Sequence, residues 1–343
     1  MALAKSVVIG ISGGVDSAVS ALLLKQAGYD VFGAYIMMHE HSADGIEDAR
    51  AVCNKIDIPF LTVDAYDIFK ENVEKYFCDT YLSGRTPNPC IFCNPTVKFQ
   101  ILLDFAQKNN IENIATGHYT GVAFDERWYI IPSNDKKDQS YFLYRLTQQQ
   151  LSKLIFPLFN KSKDEVRLIA KENELPVFNK KDSQEICFIK NEHYTDYIFR
   201  KTGASSPSGS FILTSGEKVG THKGILNYTI GQRKNLGVAL GKPVFVKEID
   251  AQSNNIILSF EDVTNCKEIY ANNLVFQRKI IQGKEKYRAK IRFSAISEPC
   301  TVERLEDDLI KIVFDNSVRA ATKGQSAVIY DNFGIVGGGI ICN

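Results

Sequence analysis

Apolar positions follow two different textures along this chain, with the change near Gly203. In the first part, short apolar runs alternate with stretches of helical period. Val7-Val8-Ile9 predicts a buried strand, after which Val15, Ala18, Val19, Leu22 and Leu23 recur at helical spacing up to a stop at Gly28. Val31–Met38 predicts a second strand, Ile46–Ile56 a helix, Pro59–Val63 a third strand, and Ile114-Ala115-Thr116 a later one. Strands alternating with helices imply an α/β domain with a doubly wound, mostly parallel sheet. Such sheets bind ligands at the carboxyl ends of their strands, and both Gly10–Ser17 and Gly117-His118 follow predicted strands.

Gly203-Ala-Ser-Ser-Pro-Ser-Gly209 has the composition of a linker. Beyond it the pattern becomes short alternating runs, among them Val244–Ile249, Ile256–Phe260, Tyr287–Phe293 and Ile310–Phe314, separated by Gly, Asn, Asp and Ser. These predict small β domains. The expected division is an α/β catalytic domain over 1–204, a small central β domain over 205–270 and a C-terminal β-barrel over 271–343.

The length of 343 residues exceeds what one hydrophobic core serves, which agrees with several domains. With 41 basic against 40 acidic side chains, any polyanion-binding surface must be a local patch. No apolar run approaches the roughly 20 residues that span a bilayer, and the first ten residues lack a cleavable signal pattern, so a cytoplasmic protein without a membrane partner is expected. The eight cysteines (Cys53, Cys78, Cys90, Cys93, Cys187, Cys266, Cys300, Cys342) are then left with burial, metal binding or thiol chemistry.

Gly10-Ile-Ser-Gly-Gly-Val-Asp-Ser17 joins a strand to an amphipathic helix. Its glycines let the backbone approach a phosphate, and the helix start offers unpaired N–H groups to an anion. It lacks the Gly-Lys-Ser/Thr ending whose lysine reaches terminal phosphates. SGGVDS instead resembles the pyrophosphatase-type loop (PP-loop) of enzymes that split ATP into AMP and pyrophosphate. In that resemblance Asp16 is the residue to hold Mg²⁺, while Ser12 and Ser17 donate to phosphate oxygens.

Ser83–Asn94 (SGRTPNPCIFCN) carries two prolines and a glycine, which predicts an ordered loop rather than a helix or strand. Asp182–Ile189 (DSQEICFI) holds a third cysteine of interest, Cys187. Together with SGGVDS, ATGHY, KDQSYFL, YTIGQRKNLG, GQSAVIY and GGGII, these segments resemble the bacterial tRNA-specific 2-thiouridylases over nearly the whole chain and in the same order.

The resemblance implies a tRNA-uridine 2-sulfurtransferase acting on the wobble uridine. ATP in the loop (Gly10, Ile11, Ser12, Gly13, Gly14, Val15, Asp16, Ser17), with contacts from Ile36 and Gly117, would adenylate the C2 carbonyl. Cys187 would carry a persulfide delivered by a cysteine desulfurase or sulfur-relay protein, and Cys93 would resolve the linkage as a disulfide. Chemically, a carbonyl oxygen leaves only once activated, and a thiolate or persulfide is a strong nucleophile. Many relatives have aspartate where this chain has Cys90, and a thiol's higher ordinary pKa means that the aspartate's proton-transfer role is not assigned to it. Cys90, Cys93 and Cys187 also form a Cys-x-x-Cys plus one, a set that would suit a four-iron cluster with an open site, or zinc given a fourth ligand. The disulfide cycle is preferred because Cys93 and Cys187 match the family's paired positions. The remaining five cysteines read as structural.

For RNA, the resemblance points to Asn88, Pro89 and Cys90 against the target base, with His118, Lys137, Asp138, Gln139, Arg292, Phe293 and Gln325 as further tRNA contacts. His118 taken alone reads better as a satisfied histidine at a strand end. Between Arg278 and Arg292 lie seven basic residues and one acid, with Tyr287, Ala289, Ile291 and Phe293 alternating with Arg288, Lys290 and Arg292. One apolar face inward and one cationic face outward suits a phosphate-contacting strand, or an edge strand protected by charge. Two other functions compete. An amide ligase sharing the loop would need no cysteine pair, and a catalytically silent RNA-binding protein would not need an intact loop.

Overall fold

The computed structural model describes residues 5–181, 186–261, 265–319 and 321–343. Its first sheet runs Phe60–Asp64 (β3), Asp30–Met37 (β2), Ser6–Gly10 (β1), Asn113–Ala115 and Leu154–Ile155, every neighbouring pair parallel. The alternation of β1 explains its position at the centre. Val7 and Ile9 enter one hydrophobic cluster, Val8 enters another on the opposite face, and all three are fully buried. Helix α1 (Val15–Gln26) and helix α2 (Ile46–Lys55) cover the first face, while Phe99–Lys108 covers the second.

From β1 the chain first moves outward to β2 and β3, then returns to add Asn113–Ala115 on the other side of β1. This reversal opens a crevice at the carboxyl ends of β1 and Asn113–Ala115, where Gly10–Ser17 and Thr116–Tyr119 emerge.

After Gly203, which caps the helix Tyr194–Thr202 in the left-handed conformation, the chain forms a four-stranded sheet. Its order is Phe245–Asp250, Asn255–Ser259, Gly209–Leu213, Lys218–His222. The last unit is a closed six-stranded barrel of Asn265–Phe276, Leu309–Arg319, Glu298–Glu306, Lys284–Lys290, Ser326–Tyr330 and Ile335–Ile341. Closure leaves no unpaired sheet edge in this unit. Among the described residues, no helix is long and apolar enough to cross a membrane.

Two local expectations are corrected. Ser83–Asn94 is not loop throughout, because Pro89–Cys93 is a helical turn that continues into a π-helical turn at Asn94–Lys98. Pro89 does not break the helix because it occupies the first turn, where its missing N–H has no partner to lose. In the basic segment Tyr287, Ala289 and Ile291 are buried as alternation requires, but the strand ends at Lys290 and Phe293 turns outward, 39% exposed.

Candidate functional site

The loop between β1 and α1 is closed on itself by its own serines. The Ser12 backbone N–H donates to Ser17 Oγ at 3.1 Å, the two hydroxyls lie 3.2 Å apart, and Ser17 Oγ donates to the Gly14 carbonyl at 3.1 Å. Asp16, in the first turn of α1, is held from two directions. Lys163 Nζ contacts both carboxylate oxygens at 2.8 and 2.9 Å, and the Tyr119 hydroxyl donates to one of them at 2.7 Å. Lys163 is aimed by its own helix start, where Ser162 and Glu165 form a capping box that fixes the first turn of Lys163–Glu172. Gly117 forms the facing wall, since a Cβ there would sit 2.8 Å from the Ser17 nitrogen and 2.9 Å from the Asp16 carbonyl carbon. Ile36, near the end of β2, packs beside the second sheet-face cluster and also beside the cluster that contains Cys93.

This wall bears on which groups it would hold. The start of α1 offers backbone N–H groups, the glycines offer close approach, and Lys163 supplies the cation that the loop lacks. A nucleotide's phosphates fit that donor set, and Asp16 is the only carboxylate in the loop for a divalent cation.

The thiols gather around a lysine that sequence inspection did not single out. Cys90 is exposed and Cys93 buried on the turn Pro89–Cys93. The π-turn that follows spaces its contacts by five residues, which brings Lys98 round to the side of Cys93. Phe188 and Ile189, which follow Cys187, are buried in the same cluster as Cys93 and draw Cys187 toward it. Burial works against the Lys98 ammonium, while the sulfurs of Cys93, Cys90 and Cys187, in their thiolate forms, draw its pKa above the usual value. Burial pushes the Cys93 thiol up to about 12, with Lys98 opposing. Cys187 reaches solvent yet is crowded by protein, and that desolvation raises its thiol pKa too, again against Lys98. Both thiols therefore rest protonated near neutral pH. Among the described residues, no group of three Cys, His, Asp or Glu side chains is arranged to hold a metal ion. Asp182, Ser183, Gln184 and Glu185 of the Cys187 segment lie outside the described residues.

Gly117 and His118 join the two centres. Gly117 touches the loop, while the next ring, His118, lies 5.7 Å from Phe99, the neighbour of Lys98. His118 Nδ1 is 2.8 Å from Thr116 Oγ1. Burial, reinforced by Lys98, lowers its pKa to about 3, so the ring is neutral at physiological pH.

The residues expected at RNA are dispersed. Asn88 and Pro89 begin the thiol-bearing turn, and Asn88 makes no side-chain cap. Lys137 is exposed. Asp138 accepts from Ser133 N, Ser140 N and Ser140 Oγ, and Gln139 Oε1 accepts from Tyr119 N, so both side chains brace the turn before Ser140. Gln325 Nε2 donates to the carbonyls of Thr86 and Pro87. Arg292 is half-buried with Nε unpartnered, and the Phe293 ring lies against Phe142. Of the seven basic residues, Arg278, Lys279 and Lys286 are already paired with carboxylates (Asp125 and Asp331, Glu285, Asp315). Arg288 is exposed and contacts the Ser297 carbonyl. Among the other cysteines Cys53, Cys78 and Cys300 are buried, Cys266 is half-buried and Cys342 is exposed near the chain end.

The chain matches three family models in succession: a tRNA methyl transferase HUP domain over residues 5–191, a tRNA methyl transferase PRC-barrel domain over 196–259, and an aminomethyltransferase beta-barrel domain over 266–341. It is 45% identical to the tRNA-specific 2-thiouridylase MnmA of Clostridioides difficile (strain 630), with 99% of each chain covered. It is 44% identical to the protein of that name from Clostridium botulinum (strain Alaska E43 / Type E3), covering 98% of each, and 42% identical to that of Acetivibrio thermocellus, covering 98% of this chain and 99% of the relative. Among solved structures, a 4-thiouridine synthetase–RNA complex with bound ATP aligns over 58% of this chain and 50% of its own, at 18% identity and a TM-score of 0.39.

Proposed function

This chain belongs to the tRNA-specific 2-thiouridylase family, and from that premise we propose that it transfers sulfur to C2 of the wobble uridine of tRNA in an ATP-dependent reaction. The observation that carries the proposal is the junction at Gly117-His118. One residue packs on a phosphate-type loop and the next lies beside Lys98, which neighbours the thiols. The matched domain descriptions speak of methyl transfer, but a pre-activated methyl donor needs neither an ATP-type loop nor clustered thiols. An amide ligase would use the loop and leave the thiols without a task.

Bound at Gly10–Ser17, ATP with Mg²⁺ at Asp16 would supply an AMP leaving group at the uridine O2. The protein's own steps then concern sulfur. Cys187, the solvent-reaching thiol, accepts a terminal sulfur from a persulfide on a donor protein, a cysteine desulfurase or relay protein, and becomes a persulfide itself. That terminal sulfur forms a bond to C2 as the C2–O bond to AMP breaks. Cys93 next attacks Cys187 Sγ, the sulfur–sulfur bond to the base breaks, and the thiocarbonyl is released with a Cys93–Cys187 disulfide. A dithiol reductant supplies the two electrons that reopen it. Lys98 stabilises whichever sulfur carries negative charge. The exposed Cys90 lies at the mouth of this cluster beside Asn88 and Pro89, where the flipped base would enter.

Mass spectrometry of tRNA nucleosides tests the proposal. Deleting the gene should remove the 2-thio modification at the wobble uridine and its return should restore it. An unchanged nucleoside profile would refute the assignment. The RNA surface is tested separately. Replacing Arg288 and Arg292 together by Ala should weaken tRNA binding, and the slope of log affinity against log salt should flatten by about 0.7–0.9 for each phosphate left without its cation. An unchanged slope would make these arginines part of a solvated barrel face and nothing more, since the strand is paired on both sides and is not an edge.

A further inference from the structure

The turn that carries Cys90 and Cys93 is held at both ends by the C-terminal barrel. On its N-terminal side, the Thr86 N–H donates to the Lys323 carbonyl at 3.0 Å, and Gln325 Nε2 donates to Thr86 O at 3.1 Å and Pro87 O at 3.0 Å. Gly324 makes this approach possible, because its φ is +91° and a Cβ there would lie 2.8 Å from Thr86 O. On the C-terminal side, Phe293 packs its ring on Phe142 at 4.5 Å, and the Phe142 carbonyl accepts from Asn94 Nδ2 at 3.1 Å. Asn94 is 1% exposed and immediately follows Cys93.

The barrel does not need these contacts in order to dock. Tyr141 donates to the Ser326 carbonyl at 2.9 Å, Gln277 Nε2 to Leu143 O at 2.8 Å, and the Ile130 N–H to Gln277 Oε1 at 3.1 Å, all buried. Those bonds fix the barrel to the α/β domain. The grip at Thr86–Pro87 acts directly on the thiol segment, and Phe293 reaches it through Phe142, whose carbonyl holds Asn94. Gln325 has its amide N–H groups directed at protein carbonyls, a use that RNA contact would not explain. Phe293 holds Phe142 with one part of its ring while remaining 39% exposed.

The geometry points to Gln325 and Phe293 as positioning residues through which the barrel keeps the Pro89–Cys93 turn closed over Cys93. Both lie on the unit that carries the basic strand, so an RNA engaging this face pulls on the segment that holds the second thiol. Substrate docking and thiol exposure become one event. This last link rests on the tRNA assignment, whereas the closed turn does not.

The test uses the full-length chain without tRNA, and reads alkylation of each cysteine by iodoacetamide through peptide mass spectrometry. A buried thiol reacts only through local opening, so its rate reports the population of the open turn. In Gln325→Leu and in Phe293→Ala, Cys93 should react about tenfold faster, the effect of removing one or two hydrogen bonds or an equivalent ring packing. Phe293→Tyr, which keeps the ring, should retain protection. Cys53 and Cys300, buried in other cores, should stay unreactive in every variant. Unchanged Cys93 reactivity overturns the inference, and so does a parallel rise at Cys53 and Cys300, which would mean general loosening. With tRNA, both variants should lose turnover number more than they raise the KM for tRNA. The opposite split would make the two residues RNA contacts only. If the wild-type chain thiolates no tRNA, the functional assignment fails, while the alkylation result still decides whether the grip exists.

Discussion

Cys187→Ser is expected to abolish 2-thiouridine formation, by a factor on the order of 10³ or more, because the variant has no sulfur atom on which to carry the transferred one. Incubated with a persulfide donor, it should gain no transferable sulfur by mass spectrometry. Cys93→Ser should behave differently. It should accept sulfur on Cys187 and then stall, leaving a base-linked or persulfidated Cys187 that accumulates in stoichiometric amount. Cys90→Ser should slow the reaction less than either, since an exposed thiol at the mouth of the cluster has no place in the bond-breaking sequence. The iron–sulfur alternative makes a distinct forecast. Three ligands would be equivalent, each substitution would be equally severe, and anaerobically purified protein would contain iron and sulfide in proportion to activity. Iron near zero in fully active protein would exclude the cluster, and stoichiometric iron tracking activity would sink the persulfide relay. The experiment has sharper contrast here than in a relative with aspartate at this position, because all three side chains are cysteines and can be changed to serine alike.

The parts of this molecule legible in sequence were those where local pattern and tertiary placement agree. Val7–Ile9 followed by glycines and an amphipathic run specifies strand, loop and helix within about twenty residues, and the structure puts β1 at the sheet centre with the loop at its carboxyl end. The β texture beyond Gly203 was equally plain, and the closed barrel is its outcome. What pattern could not supply was the aim of long side chains. Ser162 and Glu165 announce a helix start, but nothing local says that Lys163 crosses to Asp16, 147 residues away. Lys98 lies in a segment whose prolines read as helix breakers, and only the first-turn position of Pro89 and the π-turn bring its ammonium to the thiols. Phe293 continued an alternation on paper, yet alternation binds only while the strand lasts, and this strand ends three residues earlier at Lys290. The amide of Gln325 and the carboxylate of Asp138 illustrate the same limit. Their chemistry suits RNA, but the fold engages both in hydrogen bonds within the protein.

Asp16→Ala is expected to abolish tRNA-dependent release of pyrophosphate, by about a thousandfold or more, while tRNA affinity changes less than about twofold. The carboxylate and Lys163 form a part-buried pair directly at the helix start, where a nucleotide's phosphates would lie. Removing the carboxylate has two consequences that must be separated. It deletes the one loop group able to hold a divalent cation, and it frees Lys163 Nζ, whose side chain is only 12% exposed, from its ion pair with Asp16. Asp16→Asn removes the charge from both roles but keeps the side chain's volume and an oxygen to accept from Tyr119. It therefore separates loss of charge from loss of packing, and Lys163→Gln isolates the ion pair. If metal binding is the function, Asn should be nearly as inactive as Ala despite a melting temperature close to wild type. Lys163→Gln completes the comparison. It leaves the cation site intact but withdraws the lysine that pairs with the Asp16 carboxylate, so ATP binding should weaken about tenfold and a higher ATP concentration should restore much of the rate. Normal pyrophosphate release by Asp16→Asn would show that the loop does not handle a metal–phosphate group, and with it the chemistry assigned to Gly10–Ser17 would fall.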